Sequence, residues 1–233
     1  MKVLVTGGLG YIGSELCKQI HARGYDIKNS ASENVLEPYQ VNCIKGFDVV
    51  YHLASLCIVP DSKREPMKYW SNIVTGTMNV VDACKAYNKR LIFTSTQLVE
   101  DKFRCGCCGR LNSPYAEAKL EAEKYIRENL ENYAIVRLPN VYDDEDKDPY
   151  RTRLIPRLRE MAKKGVVKIY PPTTDVVELM HLDKVVKELG NLMTEGTGVY
   201  RLRGEVKTIG EVAKEVADQF NAELVVTEEV RPN

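Results

Sequence analysis

The sequence predicts an α/β fold, a doubly wound parallel sheet followed by a small, reduced C-terminal lobe. Three observations carry this. Short apolar runs alternate with helical patterns up to Leu138, the order that builds a parallel sheet with helices on both faces. A glycine-rich turn joins the first run to the first helical stretch. Beyond Asn140 the alternation loosens, and 233 residues leave room for a second lobe but not for a second independent domain.

Lys2–Thr6 reads as a short buried strand, and Tyr11–Arg23 as a helix ended by Gly24. Asp48–Ala54 is a second strand and Asn72–Tyr87 a helix. Arg90–Ser95 is a third strand, Pro114–Glu131 a long helix rich in Ala, Glu and Lys, and Tyr133–Leu138 a fourth strand. The crossovers of such a sheet should be right-handed. Asp143–Asp148 is a charge run expected to be a solvated loop. Leu154–Lys164 has helical spacing, Val166–Tyr170 reads as a strand, and Pro171-Pro172 starts a turn. Asp183–Met193 and Thr208–Asn221 supply the last helices.

The charge balance excludes one class of partner. The 33 basic and 33 acidic residues cancel, so there is no basic footprint for nucleic acid. No apolar run approaches the roughly 20 residues of a membrane span. The opening Met1–Val5 runs directly into the glycine turn, without the longer apolar stretch of a leader peptide. The seven cysteines are an odd number, which argues against a disulfide framework. A reduced, cytoplasmic protein is expected.

Val3-Leu4-Val5-Thr6-Gly7-Gly8-Leu9-Gly10-Tyr11-Ile12-Gly13 is the first stretch with chemistry in it. Its glycines follow a strand and open a helix, where they permit a tight turn, close backbone approach to a pyrophosphate and close helix–strand packing. The helix N-terminus then offers N–H groups and a positive dipole end to phosphates. A bound dinucleotide needs an acidic residue about 20 positions on for the adenosine ribose, and Glu33 falls near that spacing. NAD is favoured because no arginine stands beside Glu33 to mark a 2′-phosphate. NADP stays open.

Tyr115 and Lys119 open the long helix four residues apart, so phenol and ammonium share a face. A neighbouring cation favours phenolate and brings a tyrosine towards use as an acid/base. The strand Arg90–Ser95 runs out into Thr96 at the carboxyl edge, where ligands of open α/β sheets bind. A hydroxyl there can hold a substrate oxygen. Cys105, Cys107 and Cys108 precede the tyrosine, but three thiols with no nearby histidine do not make a structural zinc site. No metal is expected. His52 and His181, within apolar runs, and Trp70 are expected to be structural.

Together these stretches resemble the NAD-dependent epimerase/dehydratase family, the extended short-chain dehydrogenases typified by nucleotide-sugar epimerases. The resemblance is carried by TGGLGYIGS, DVVYHLAS, FTSTQLV, SPYAEAK, RLPNVY and Met180–Val185, in that order. It implies a Rossmann-type domain over 1–139 plus 176–196, and a substrate-binding lobe over 140–175 plus 197–233. It implies that Thr96, Tyr115 and Lys119 are the catalytic triad, and that Lys119 also holds the nicotinamide ribose. Gly7, Gly10, Tyr11, Ile12 and Gly13 would line the pyrophosphate, and Asn34 and Val35 the adenine. Leu53, Ala54 and Ser55 would flank the cofactor, Asn72 would support the site, and Leu138 and Pro139 would lie near the nicotinamide. Thr96, Gln97 and Asn140 would face the substrate, a nucleotide sugar. A homodimer is the association the resemblance implies.

Departures from the family pattern shape the expected reaction. Gln97-Leu98 stand where dehydratases carry an Asp-Glu pair, so water elimination is not expected. Val177 stands where a phosphate-gripping arginine belongs, and a valine cannot make that contact. The second and third strands are compressed, and Arg231-Pro232-Asn233 fall before the family's usual C-terminal substrate elements. The expected activity is NAD-dependent epimerisation through a transient keto intermediate. The alternatives are a keto-sugar reductase and a non-catalytic dinucleotide sensor.

Overall fold

The computed structural model describes residues 1–100, 105–106, 111–145 and 153–227. They form two compact units, one of residues 1–138 and 183–202, the other of 139–182 and 203 onward.

The first unit opens with β1 (Val3–Thr6), buried along its whole length, then α1 (Tyr11–Ile20) and β2 (Arg23–Tyr25). The helix ends before the expected Arg23: His21 takes the left-handed conformation at φ 50° and closes it. Gly24 therefore lies inside β2, where a Cβ on the facing Gly8 would collide with its Cα. After a 3-10 segment over Gln40–Gly46 comes β3 (Val49–His52).

Next come α2 (Val59–Arg64), α3 (Pro66–Trp70) and α4 (Gly76–Ala86), with one wide π-type turn, Ser71–Thr75, between α3 and α4. The helix predicted over Asn72–Tyr87 is thus longer and interrupted, and such turns recur at functional sites. β4 (Arg90–Thr96) is fully buried and leads to α5 (Pro114–Asn129) and β5 (Tyr133–Leu138). Ser113 caps α5 by accepting the Ala116 N–H, with Pro114 at the first helical position.

The second unit takes β6 (Asn140–Tyr142), α6 (Leu154–Ala162), β7 (Val166–Ile169) and β8 (Val176–His181). The chain returns to the first unit with α7 (Leu182–Asn191) and β9 (Gly198–Arg201), then ends in the second with β10 (Glu205–Thr208), α8 (Ile209–Phe220) and β11 (Glu223–Val226).

A six-stranded parallel sheet, β2-β1-β3-β4-β5-β9, is the core of the first unit. Leu4, Val50, Leu91, Phe93 and Ile135 pack on Val80, Val81, Ala118, Ala122 and Ile126 from α4 and α5. In the second unit β8 lies between β6 and β10, and β7 pairs with β11. Strand pairing moves two predicted borders: 176–182 stays with the second unit because β8 bonds to β6 and β10, and β9 joins the first because it bonds to β5. Asp143 corrects the solvated-loop expectation, being buried with its carbonyl accepting from Arg159. Asp146, Lys147 and Asp148 lie outside the described residues.

Candidate active site

Three loops of the first unit meet at the carboxyl edge of β1, β3 and β4. The glycine turn after β1 is tied to β2 by the Gly7 N–H, which donates to Tyr25 O at 2.9 Å. Gly7 sits at φ +73°, and a Cβ there would stand 2.7 Å from Ala54 N. A Cβ at Gly13 would strike the Gly7 carbonyl oxygen. The turn is therefore closed to side chains from both sides and α1 begins hard against it. Among the described residues no side chain caps α1, and no acidic residue stands in its first turn. Backbone amides at Gly10–Gly13 with a positive dipole end fit a dinucleotide pyrophosphate.

Asp26, immediately past β2, was missed in the sequence. Its carboxylate accepts the Leu9 N–H at 3.1 Å and the Lys28 N–H at 2.9 Å, so it stands beside the glycine turn at the spacing from Gly7 that a ribose-binding acid requires. Glu33, the expected acid, is committed elsewhere. It is buried and accepts from Arg23 at 2.9 Å, Asp26 N at 2.9 Å and Asn29 at 3.1 Å. Burial pushes its carboxyl up, but these three donors and the Arg23 charge outweigh that and hold it below the usual range. Asn34 Oδ1 accepts the Leu36 N–H, and Val35 packs against Gly76 while its carbonyl accepts from Asn79.

The loop after β3, with Leu53, Ala54 and Ser55, is pinned by three side chains. Thr6 Oγ1 accepts the Ala54 N–H at 3.3 Å, Asn72 Oδ1 the Leu56 N–H at 2.7 Å, and the Tyr69 hydroxyl the Ile58 N–H at 3.2 Å. The wide turn is what brings Asn72 to this loop. His52 is structural as expected: Nδ1 lies 2.7 Å from Thr6 Oγ1 and Nε2 3.2 Å from Thr77 Oγ1. Burial, with the Lys119 charge adding to it, drops its pKa to about 3 and keeps the ring neutral.

Thr96, Gln97, Tyr115 and Lys119 are 8%, 5%, 8% and 3% exposed, so all four are buried. Lys119 donates to the Thr94 carbonyl oxygen at 2.8 Å and lies 4.5 Å from the centre of the Phe93 ring. Burial lowers its pKa to about 8, while the fields of Cys57 and Glu123 pull it back up. Ala116, Val99 and Leu111 form a small apolar cluster. It clamps the first turn of α5, with Tyr115, onto the turn after Thr96. Thr96 Oγ1 itself accepts the Leu98 N–H at 3.3 Å.

Glu123, one further turn along α5, was also missed. It is fully buried, accepts from Ser95 at 2.6 Å, and takes Arg137 in two bonds of 3.0 and 2.7 Å. Its spacing, four residues past Lys119, was the available signal. Leu138 ends β5, whereas Pro139 and Asn140 open the second unit, with Asn140 Nδ2 donating to Glu178 O at 3.4 Å. Val177 is in β8, paired with Lys207. Cys107 and Cys108 lie outside the described residues; among those described, no group of three or more His, Cys, Asp or Glu side chains could hold a metal. No described helix is long and apolar enough to cross a membrane.

Comparison with known proteins identifies the family. A UDP-glucose 4-epimerase of Bacillus subtilis (strain 168) is 27% identical, over 94% of this chain and 85% of the relative. The UDP-glucose 4-epimerase uge1 of Schizosaccharomyces pombe is 29% identical over 59% of this chain, and the match spans only 51% of that relative, about half its length. The crystal structure of a UDP-glucose 4-epimerase with UDP-glucose from Thermotoga maritima superposes with a TM-score of 0.83 at 23% identity, covering 97% of this chain and 85% of that one. The model of the NAD dependent epimerase/dehydratase family matches residues 3–198, and the chain belongs to that family.

Proposed function

We propose that the chain binds NAD and epimerises a nucleotide sugar through a transient keto intermediate. The observation that carries this is the anchoring of Lys119 on the Thr94 carbonyl, one helical turn from Tyr115 and beside the strand end that presents Thr96. The relatives described as UDP-glucose 4-epimerases support the substrate class.

In this reading Gly7, Gly10, Tyr11, Ile12 and Gly13 hold the pyrophosphate, and Asp26 the adenosine ribose. Leu53, Ala54, Ser55 and Asn72 form and brace one wall. Bound NAD supplies a reversible hydride acceptor. Tyr115 takes the proton of the sugar hydroxyl being oxidised and returns it on reduction, and the Lys119 ammonium favours its phenolate. Thr96 donates a hydrogen bond to the same oxygen. Elimination is not part of the proposal, because Gln97 offers no carboxylate to move a second proton.

A second reading, one-way reduction of a keto-sugar, is favoured by the short β2. The sheet has no strand beyond it among the described residues, so the adenosine side has less wall to retain a cofactor between turnovers. Incubation with NAD and a panel of UDP-, dTDP- and GDP-sugars, followed by chromatography, tests the proposal. Conversion of a sugar to its epimer without net cofactor use supports epimerisation. Conversion only of keto-sugars, with stoichiometric loss of reduced cofactor, supports the reductase.

A further inference from the structure

The sequence shows no arginine beside Glu33, but the fold brings one there. Arg23 opens β2, the edge strand of the six-stranded sheet, and its guanidinium donates to Glu33 Oε1 at 2.9 Å. Glu33 Oε2 accepts the Asp26 N–H at 2.9 Å, and the Asp26 carboxylate accepts the Leu9 N–H of the glycine turn at 3.1 Å. One carboxylate thus ties a guanidinium to the residue proposed to hold the adenosine ribose, through bonds that run on to the glycine turn. A guanidinium so placed suits the 2′-phosphate of NADP. The Arg23 side chain is 62% exposed, and among the described residues Glu33 is its hydrogen-bond partner.

The two partners are not equally free to leave. Glu33 is buried and fixed by the Asp26 N–H and the Asn29 amide. A buried carboxylate that loses its cation is strongly destabilised, so Arg23 stays on Glu33 even when another anion is offered. We infer that Glu33 is a specificity-determining residue that makes the site select NAD, by holding Arg23 in a neutral pair and withholding it from a 2′-phosphate. Asp26 supplies the repulsion, and Glu33 removes the attraction that would offset it. The inference rests on the proposed placement of the adenosine ribose at Asp26.

Calorimetric titration of the full chain with NAD and with NADP tests it. The wild type should prefer NAD. In Glu33→Gln the amide oxygen can keep the Asp26 N–H while its NH2 group turns on Arg23 and releases it. That variant should bind NADP about tenfold more tightly, the effect of one charge-assisted contact, with NAD binding little changed. Adding Arg23→Met should abolish the gain. No gain in Glu33→Gln, or a gain that survives the loss of Arg23, overturns the inference. Arg23→Met alone leaves Glu33 its bond to Asp26 and covers the case of a Glu33→Gln chain that does not fold. Its unpaired carboxylate should weaken NADP further, read by competition against bound NAD, and an unchanged ratio of the two affinities overturns the inference. Wild type that binds both dinucleotides equally also overturns it and leaves dinucleotide binding standing. Wild type that binds neither ends the cofactor reading, and this inference with it.

Discussion

The Lys119 ammonium donates to the Thr94 carbonyl oxygen across 2.8 Å, tying the middle of the helix that carries Tyr115 to the strand that ends in Thr96. An ammonium held on a backbone carbonyl in a buried place has a measurable signature. Its folded pKa is about 8 against an ordinary 10.5. Between those values the unfolded chain binds a proton that the folded chain does not, so stability rises with pH through that window. Below about pH 8 the full burial penalty is present. Lys119→Met should therefore melt higher than wild type at neutral pH and lose that advantage as pH rises towards 10.5. Melting curves that stay parallel over the window would contradict this.

Asp26 should decide cofactor choice. Its carboxylate stands at the end of β2, beside the glycine turn, where under the proposed reading it would accept from a ribose hydroxyl and repel a 2′-phosphate. Asp26→Ser should weaken NAD binding about tenfold and narrow the preference over NADP, read by quenching of the protein's tyrosine and tryptophan fluorescence. Unchanged affinities for both would remove Asp26 from the site.

Glu123 should matter for stability before activity. Glu123→Ala leaves Arg137 without its bidentate partner, and breaking a buried pair from one side costs about 3–5 kcal/mol. Arg137 is partly exposed, so the lower end applies, a fall in Tm on the order of 6–12 °C for a chain of this size. A Glu123→Leu, Arg137→Met double variant should recover most of the loss. Failure to recover would show that the other bonds of Glu123, from Ser95 and Arg127, carry the loss.

Elements with strong periodicity or punctuation were readable in advance. β1, the glycine turn and the start of α1 follow from a Val-rich run meeting Gly7, Gly10 and Gly13, and α5 from Ser113-Pro114 ahead of a helix-forming stretch. β2 was not readable. It has three residues with a glycine in the middle, and the α1 stop that Gly24 advertises is made instead by His21 in a left-handed conformation. The wide turn over Ser71–Thr75 carries no Gly or Pro; what it does, bringing Asn72 to the Leu56 N–H, depends on a tertiary contact. β6, β8, β9, β10 and β11 are three to six residues long with few buried side chains, too short for a period of two to declare itself.

The candidate site divides the same way. Tyr115, Lys119 and Thr96 were legible because helix spacing and a strand end are local properties. Asp26 was not, because its meaning depends on where β2 stops and on the Leu9 N–H it meets.

Tyr115 is the residue on which the proposed chemistry turns, and Tyr115→Phe removes only its hydroxyl. Wild type and variant would each be loaded with NAD and given UDP-glucose and UDP-galactose, with reduced-nicotinamide absorbance and sugar identity followed together. The wild type should interconvert the sugars without net cofactor use. The variant should bind NAD as tightly and turn over at least about a hundredfold more slowly. Equal turnover by both proteins would contradict an acid/base role for Tyr115 and with it the proposed reaction.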